Sequence, residues 1–518
     1  MERQKYGLGK QDFSSLRKRG FVYIDKTEYI IKLLEGADYY FLSRPRRFGK
    51  SLFLSTLYHF FRGNRELFKD LAIDSYDWNW ESYPVIRLNL AEGSYSRPEG
   101  LEERLNEILA ETEKFYNVSP SGTDPRSRFR NLIISLNERY DKGVVILIDE
   151  YEKPLLDTIN EPHNEKYQKE LADFYSVLKS NEEVIQFLFI TGVTRFGHLN
   201  IFSGFNNLSD ISLDDDFSAL CGITQRELLE NLRPGIENLA KAYEVDFEDA
   251  LSKLKEHYDG YHFSRLLIDI YNPFSLLTCL NSSRITSRWF QSGSSRYLLD
   301  KLRANNFNLS SLEGVRVSEE ILLGTDSSMN ESVTLLYQSG YLTIKYYNPE
   351  NNRYTLGLPN FEVRTALYSA IIPYYLGQKY SSAEEEAIGF IDKLRNGEAE
   401  EAMKWLQGYF SSIPQDVKLD YESEFQQVIY AFFALSGQLA KTTLEKKTSD
   451  GRIDMVYETN RYVYIFEFKR GEDARKALDQ INSKQYARQW QTDDREVIKI
   501  GVAFSPKTRG IASFMIER

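Results

Sequence analysis

Short apolar runs alternate with helical patterns in the first part of the chain, and this alternation limits the fold more than any other feature. The runs that read as buried strands are residues 39–43, 84–90, 144–148 and 185–191. The stretches 52–61 and 101–115 have the spacing of amphipathic helices. Strands that alternate with helices form mostly parallel sheets covered on both faces. We therefore predict an α/β domain with a mostly parallel sheet, spanning residues 1–212.

Chain length predicts further domains. Because hydrophobic cores stop growing near about 250–300 residues, a chain of 518 residues with 42% apolar side chains is expected to form several globular domains. Residues 213–376 are predicted to be mainly helical, with helices at 224–232, 238–244 and 247–258. A helix at 335–339 precedes strands at 341–347 and 353–358, an order that fits a winged-helix module or an ordinary hairpin equally well.

A change of pattern after residue 376 indicates a third domain, spanning residues 377–518. Helices are expected up to residue 435, followed by strands at 439–448, 452–457 and 462–469. A helix at 473–490 and a last strand at 497–504 complete the predicted α/β unit.

Cysteine content and net charge limit the cellular compartment and the binding partners that can be expected for this protein. The two cysteines, Cys221 and Cys279, cannot build a disulfide framework or a multi-cysteine zinc site. No apolar stretch has the length of a signal peptide or a membrane span, so we expect a soluble cytoplasmic protein without membrane partners. The net charge is −11, yet residues 441–518 hold 16 Lys and Arg against 12 Asp and Glu, which gives mild support for a polyanionic partner.

A phosphate-binding loop is predicted after the first strand, where Arg-Pro-Arg-Arg-Phe-Gly-Lys-Ser occupies residues 44–51. Gly49 lets backbone amides close around phosphate, Lys50 can reach the β and γ oxygens, and Ser51 can ligate magnesium. The usual motif opens with glycine at the position of Arg44, so a basic loop that only ends in Gly-Lys-Ser is the alternative. The nucleotide-contacting residues are predicted to be Arg46, Arg47, Phe48, Gly49, Lys50 and Ser51.

Polar residues at the ends of two later strands support nucleotide binding. The apolar run 144–148 ends in Asp149, expected to hold magnesium, and Glu150, expected to polarise an attacking water. The run 185–191 leads to Thr191, Thr194 and Arg195, and a polar residue there could sense the γ-phosphate. Ligands of open α/β sheets bind at this carboxyl edge. We therefore predict that residues 1–212 form a P-loop NTPase domain, with ATP and Mg²⁺ as cofactors.

A second set of polar residues occurs in the most apolar strands near the C-terminus. Glu467 and Lys469 lie on one face of the predicted strand 462–469, and a turn would bring Asp454 beside them. The two carboxylates could bind magnesium while Lys469 orients water. A solvated Glu-to-Lys ion pair is the alternative. Glu424 could add a ligand, and Gln480 and Lys484 share one helix face where either could contact phosphate.

These motifs together resemble a bacterial arrangement in which an AAA-ATPase-like domain precedes a PD-(D/E)XK nuclease superfamily domain. The resemblance rests on residues 21–27, 44–51 and 148–151 at the front, 258–261 and 271–274 in the middle, and 451–454, 467–469 and 477–481 at the back. It implies a restriction-endonuclease-like α/β fold in which Asp454, Glu467 and Lys469 are metal-binding and catalytic, Glu424 is the helix acid and Gln480 the helix glutamine. Some relatives place a tyrosine where this chain has Lys484, whereas the tyrosine here is Tyr486.

The sequence therefore predicts an ATP-binding protein whose nucleotide state controls a magnesium-dependent nuclease acting on DNA. Arg195 could sense the γ-phosphate within the same chain, and the winged-helix-like segment could contact DNA. Two other readings stay open: a nucleotide-dependent regulatory or binding protein with a catalytically silent nuclease-like domain, and an NTPase that acts on protein partners.

Overall fold

A computed structural model describes most of the chain. The described residues are 4–194, 207–287, 295–305, 307–324, 331–376, 383–412, 422–435, 441–448, 451–471, 473–505 and 510–518. Two compact units are formed, one from Met1–Thr286 and Arg316–Pro359, the other from Ser287–Val315 and Asn360–Arg518. The division at residues 212 and 376 stays a prediction, and the region between them contributes chain to both units.

Helices and strands account for most of the described residues. The strands are β1 Tyr39–Ser43, β2 Val85–Asn89, β3 Val144–Asp149, β4 Ile185–Gly192, β5 Leu208–Asp210, β6 Ile223–Thr224, β7 Ile270–Tyr271, β8 Val315–Val317, β9 Thr343–Asn348, β10 Arg353–Gly357, β11 Lys441–Thr448, β12 Gly451–Glu458, β13 Tyr462–Arg470, β14 Glu496–Ser505 and β15 Gly510–Glu517. The helices are α1 Phe13–Lys18, α2 Glu28–Glu35, α3 Lys50–Phe61, α4 Gly100–Tyr116, α5 Pro125–Tyr140, α6 Lys153–Asp157, α7 Asn164–Ser180, α8 Gln225–Tyr243, α9 Phe247–Tyr258, α10 Pro273–Ser282, α11 Ser295–Ala304, α12 Glu319–Leu322, α13 Glu331–Gln338, α14 Phe361–Leu376, α15 Ala383–Arg395, α16 Ala399–Ser411, α17 Glu422–Ala434 and α18 Arg475–Ser483. No helix within the described ranges is long and apolar enough to cross a membrane.

The first unit is built on a five-stranded sheet with the order β2-β3-β4-β1-β5. Each strand pairs in parallel with its neighbours, and the register sets Ser43 beside Gly192 and Asn89 beside Asp149. The predicted parallel α/β fold is confirmed. Since β4 lies between β1 and β3, the ends of these three strands meet at one edge of the sheet.

Helices cover both faces of this sheet, as strands that are apolar on both sides require. On one face, α3 packs its Phe53 ring 5.7 Å from Phe189 and its Phe61 ring 4.9 Å from Phe187. Helices α4, α5 and α7 cover the other face and bury Ile146, Ile148 and other side chains in a common core. The phosphate loop is thus supported by a fully packed sheet.

A helical bundle of α8, α9 and α10 follows in the same unit. The two helices predicted at 224–232 and 238–244 are wrong as separate elements, because α8 runs unbroken through Pro234. Its buried residues Leu228, Leu232, Ile236 and Leu239 form one apolar stripe on both sides of the proline, and they pack in the core of the bundle. Burial of a continuous stripe outweighs the cost of a proline inside the helix.

The predicted order of helix and β-hairpin is present in α13, β9 and β10. No side chain between residues 332 and 338 of α13 is exposed: each is buried or half-buried. In this arrangement the helix presents no open face for reading a nucleic acid groove. The hairpin itself carries an exposed Tyr346.

The second unit contains a five-stranded sheet with the order β11-β12-β13-β14-β15. Strands β13 and β14 are parallel, and the other pairs are antiparallel. Helix α18 packs on the face with Val463 and Ile465, and α17 packs Phe433 against Phe466 on the other face, with ring centres 5.2 Å apart. This mixed, doubly covered sheet agrees with the predicted α/β domain.

Two predicted boundaries in this unit are wrong. The helix predicted at 473–490 ends at Ser483, because Gln485 adopts a left-handed conformation with φ 48° and a short 3-10 turn follows. This bend turns Tyr486 and Trp490 into the core. Strand β14 is not the last, since β15 pairs with it along Gly510–Glu517.

Candidate active sites

The loop between β1 and α3 forms the floor of a cavity of about 360 Å³. Gly49 has φ 103°, a left-handed conformation that glycine adopts without strain, and α3 begins at the next residue. The six residues predicted to contact nucleotide, 46–51, all line the cavity, together with Glu150 and residues 7–11. A cavity of this volume is typical of a small-molecule site.

Lys50 is buried at the N-terminus of α3. Its Nζ donates to the carbonyl oxygens of Arg44 at 2.9 Å and Pro45 at 3.3 Å, and lies 4.0 Å from the carboxylate of Glu150. Loop carbonyls therefore hold the ammonium group at the cavity floor. The helix N-terminus beside it favours bound anions.

Asp149 and Thr191 meet at the edge of the sheet, as their positions on β3 and β4 predict. The Thr191 hydroxyl donates to Asp149 Oδ1 at 2.7 Å, and both residues are buried. Glu150 adopts φ 53°, a left-handed conformation that is uncommon for residues other than glycine. Arg195, predicted to sense the γ-phosphate, lies outside the described residues.

Arg44 points away from the cavity, although it occupies the position where the usual motif has glycine. Its guanidinium is buried and donates to the carbonyls of Ser43, Ser212 and Phe217 at 2.9, 2.7 and 3.1 Å. It also lies over the Phe263 ring, 4.4 Å from its centre. Burial lowers the pKa of Arg44. The arginine anchors the loop to the chain that follows β5.

Replacing Arg44 with glycine restores the usual motif, yet we expect it to destabilise the first unit. Two buried carbonyls and one partly buried carbonyl would lose a charged donor, at a cost of about 3 kcal/mol in the free energy of unfolding. The melting temperature of Arg44→Gly should fall by about 5 °C or more, whereas Arg46→Gly, from the cavity side of the same loop, should change it by about 1 °C. A glycine variant as stable as wild type would contradict this anchoring role.

Two further loop residues pack against the helical part of the same unit. The Arg47 guanidinium lies 4.2 Å from the centre of the Phe274 ring, and the Phe48 ring contacts Tyr261 and Phe263 at 4.8 and 5.2 Å. Phe274 and Tyr261 belong to two motifs noted in the sequence at 271–274 and 258–261. Those two motifs therefore supply aromatic rings that pack against the loop.

Glu152 lies next to the predicted site residues, although no pattern in the sequence selects it. It is fully buried, and its Oε1 accepts from the amides of Val193 and Thr194. Burial, with the Glu150 carboxylate nearby, raises the pKa of Glu152. Its partners are about 40 residues away in sequence, at the end of β4, so no local pattern reveals them.

A second candidate site lies where β12 and β13 separate. The ladder between these strands runs from Glu458 and Val463 to Met455 and Phe466. One step further the register would pair Asp454 with Glu467, but there the Phe468 amide donates to Asp454 Oδ2 at 2.8 Å. Asp454 nevertheless lies close enough to Glu467 to act electrostatically on its carboxyl group.

Three residues predicted for this site are joined at Glu467. Its Oε1 accepts from Lys469 Nζ at 3.0 Å and from the Gln480 amide of α18. Glu467 Oε2 is buried without a hydrogen-bond partner among the described residues. A buried carboxylate oxygen in that position is a suitable ligand for a hard cation such as Mg²⁺. Lys469 is 37% exposed, so the site opens to solvent past its side chain.

Other predicted contributors to this site differ in position. Glu424 lies in the first turn of α17, but its side chain is outside what the structure describes. Lys484 directly follows the last residue of α18 and is exposed. The hydroxyl of Tyr486 donates to the Arg452 carbonyl at 2.9 Å inside the core. Among the described side chains, no three His, Cys, Asp or Glu come together as a ligand set.

Burial and the neighbouring Asp454 raise the pKa of Glu467 from its ordinary 4.5 to about 7. The unfolded chain loses this proton above about pH 4.5 and the folded protein only near about pH 7, so its contribution to stability falls as pH rises between these values. We expect the melting temperature of metal-free Glu467→Gln, relative to wild type, to rise by about 5 °C between about pH 5 and about pH 8. Thermal unfolding in EDTA measures this difference, and a value that does not change with pH would contradict it.

The fold and the two sites define an ATPase-like domain joined to a nuclease-like domain. Residues 7–202 match the family described as Predicted AAA-ATPase, and residues 420–514 match the PD-(D/E)XK nuclease superfamily. The chain belongs to the family of proteins that combine these two domains, which confirms the resemblance noted in the sequence. The family assignment supports a nucleotide-binding first unit.

One relative matches this chain along nearly all of its sequence. The chain is 33% identical over 529 residues to the "Uncharacterized protein in vnfD 5'region" of Azotobacter chroococcum mcd 1, covering 100% of this chain and 99% of that protein. Among solved structures, the Aeropyrum pernix ORC2 protein in ADPNP–ADP complexes matches 64% of this chain and 87% of its own at 12% identity. The TM-score of that match is 0.26, too low to support any inference about this chain.

Proposed function

We propose that this chain binds and hydrolyses ATP in its first unit and cleaves DNA phosphodiester bonds with Mg²⁺ in its second. The observation that carries the proposal is the meeting of Lys469 and Gln480 at the buried Glu467 carboxylate, one oxygen of which has no hydrogen-bond partner among the described residues. Lys469 and Gln480 compensate one oxygen of this carboxylate, but a buried oxygen that is left without a partner still costs about 1–3 kcal/mol. Metal binding would provide that compensation.

Each residue of the second site has a part in the proposed cleavage. Asp454 and Glu467 would hold Mg²⁺ through carboxylate oxygens, and Lys469 and Gln480 already fix the orientation of Glu467. Bound Mg²⁺ would lower the pKa of a coordinated water and offset negative charge on the phosphate. Because Lys469 is partly exposed, its ammonium could turn from Glu467 to the phosphate or to the attacking water.

The residues around the cavity divide the work of binding and hydrolysing nucleotide. Lys50 would exchange its bonds to loop carbonyls for bonds to the β and γ phosphates, and the Ser51 hydroxyl and Asp149 would hold the magnesium of the nucleotide. Thr191 keeps Asp149 oriented. Glu150, which lines the cavity 4.0 Å from Lys50, is the candidate base for the attacking water.

A regulatory protein with a silent nuclease-like domain is the second candidate. The observation that favours it is the complete burial of Glu467, whose raised pKa opposes the charged form that binds metal. In that case the second unit would bind nucleic acid or a protein without cutting it. The two candidates differ in whether Mg²⁺ supports any bond cleavage.

The test is cleavage of plasmid and of labelled DNA and RNA oligonucleotides by the full-length chain with Mg²⁺. Each reaction is run without nucleotide, with ATP and with a non-hydrolysable ATP analogue. The comparison shows whether cleavage is regulated by ATP binding or by ATP hydrolysis. We expect DNA cleavage that depends on Mg²⁺ and changes with nucleotide. ATP turnover without cleavage of any substrate would favour the silent domain, and the absence of both activities would overturn the proposal.

A further inference from the structure

The carboxyl group of Glu152 lies beside the proposed nucleotide site, but it has no role in the reaction proposed above. Glu152 follows the Asp149-Glu150 pair and precedes the short helix α6. Its Oε1 accepts from the Val193 amide and from the Thr194 amide at 3.3 Å. Oε2 is buried with no hydrogen-bond partner among the described residues. One carboxylate oxygen thus holds two successive amides just past the end of β4.

Gly192 is the residue on which this carboxyl group packs. A methyl group at that position would collide with Glu152 Oε2, so the close approach requires glycine. Gly192 pairs with Ser43 in the sheet, and its carbonyl accepts from the Arg44 amide at 3.1 Å. The Glu152 carboxyl therefore lies where β4 joins the start of the phosphate loop.

Tyr151 makes the same connection from the neighbouring position. Its amide donates to the Thr191 carbonyl at 3.3 Å, and its hydroxyl donates to the Thr194 carbonyl at 3.0 Å. Thr191 in turn donates its hydroxyl to Asp149 at 2.7 Å. Hydrogen bonds thus connect residues 149–152 to residues 191–194 along the length of both segments. Asp149, the candidate magnesium-binding carboxylate, is one of the connected residues.

We propose that Glu152 is a positioning residue for nucleotide hydrolysis, which holds the end of β4 so that Thr191 keeps Asp149 in place. The inference rests on the proposed ATP hydrolysis by the first unit. Glu152 acts through the chain at 191–194 and is not among the residues that line the cavity. What matters is its hydrogen-bond acceptor, and an amide in place of the carboxyl group would serve.

The experiment compares Glu152→Ala and Glu152→Gln with wild type in the full-length chain. For Glu152→Ala we expect kcat for ATP hydrolysis to fall about 10- to 100-fold, with a similar rise in the Mg²⁺ concentration that gives half-maximal rate, as is usual when a residue that orients a metal ligand is lost. Binding of a fluorescent ATP analogue in EDTA should stay within about threefold, since Glu152 does not contact the nucleotide. Glu152→Gln keeps the acceptor and should retain kcat within about threefold.

Glu170→Ala is the matched control. Glu170 is a partly buried glutamate on α7 of the same unit, lines no part of the cavity, and pairs with Lys166 at 3.4 Å. Its loss should leave kcat and the Mg²⁺ requirement within about twofold of wild type. If Glu170→Ala and Glu152→Ala lose kcat to a similar extent, the loss reflects a general decrease in protein stability, and the proposal is overturned.

The remaining outcomes also decide the question. Wild-type turnover that persists in Glu152→Ala, or an equal loss in Glu152→Gln, would overturn the positioning role while leaving ATP hydrolysis in place. Absence of turnover in the wild type would overturn hydrolysis itself, and the role of Glu152 with it. If Glu152→Ala does not fold, Gly192→Ala tests the proposal instead, because its methyl group displaces the Glu152 carboxyl group. We expect kcat of Gly192→Ala to drop about tenfold. Unchanged turnover would reject the proposal.

Discussion

Replacing Asp454 with asparagine is expected to lower Mg²⁺-dependent DNA cleavage at least about 1000-fold, because a metal ion supplies several kcal/mol of transition-state stabilisation and each 1.4 kcal/mol is about a factor of ten. Asparagine still offers Oδ1 as acceptor for the Phe468 amide, which Asp454 now bonds at 2.8 Å. The separation of β12 and β13 should therefore persist. Loss of activity would then report the loss of a charged ligand rather than of the fold.

Asp479→Asn provides the control for this substitution. Asp479 precedes Gln480 on α18 and is exposed, so the same loss of charge occurs close to the site without a change in its ligands. Cleavage assays over a Mg²⁺ titration, with melting temperatures of all variants, complete the measurement. Cleavage by Asp454→Asn at the rate of Asp479→Asn would show that Asp454 holds no essential metal.

Replacing Lys50 with alanine is expected to weaken ATP binding at least about 100-fold, since two hydrogen bonds from a charged donor contribute about 3 kcal/mol. The Lys50 ammonium is held at the cavity floor by the carbonyls of Arg44 and Pro45, ready to meet a phosphate. Turnover of ATP and any effect of nucleotide on cleavage should disappear together. Cleavage that needs no nucleotide should remain, because Asp454 and Glu467 are unchanged.

Lys32→Ala is the matched control, as Lys32 is a partly exposed lysine of the same unit that does not line the cavity. Binding is measured by titration of a fluorescent ATP analogue, and turnover by phosphate release. Equal affinity in Lys50→Ala and Lys32→Ala would exclude residues 44–51 as the phosphate site. A Lys50→Ala variant that loses cleavage in every condition would show that nucleotide binding is obligatory rather than modulating.

The elements that sequence could predict are those whose signal is local. Strands β1, β3 and β4 were predicted within one residue at either end because each is an unbroken apolar run, as burial on both faces requires. Strand β5 has three half-buried residues and no such run. Strand β15 is half-buried along most of its length, so it also lacks the continuous apolar signal of a central strand.

The candidate sites divide in the same way. Lys50, Asp149 and Thr191 could be selected from the ends of buried strands, and Glu467 and Lys469 from the alternation along β13. The roles of Glu424 and Arg195 stay predictions. Sequence could not predict that Arg44 turns away from the cavity or that Glu152 holds the end of β4, because both depend on partners distant in the chain: Arg44 on Ser212 and Glu152 on Val193.

The anchored phosphate loop has a consequence for the kinetics of nucleotide exchange. Arg44, Arg47 and Phe48 fix the loop against residues between 212 and 274 through contacts with other protein groups. The entropy of ordering the loop is therefore lost during folding, and an arriving nucleotide meets a preorganised surface. Association should proceed in a single fast phase, and the residence time of the nucleotide should be set by its own contacts rather than by reassembly of the loop.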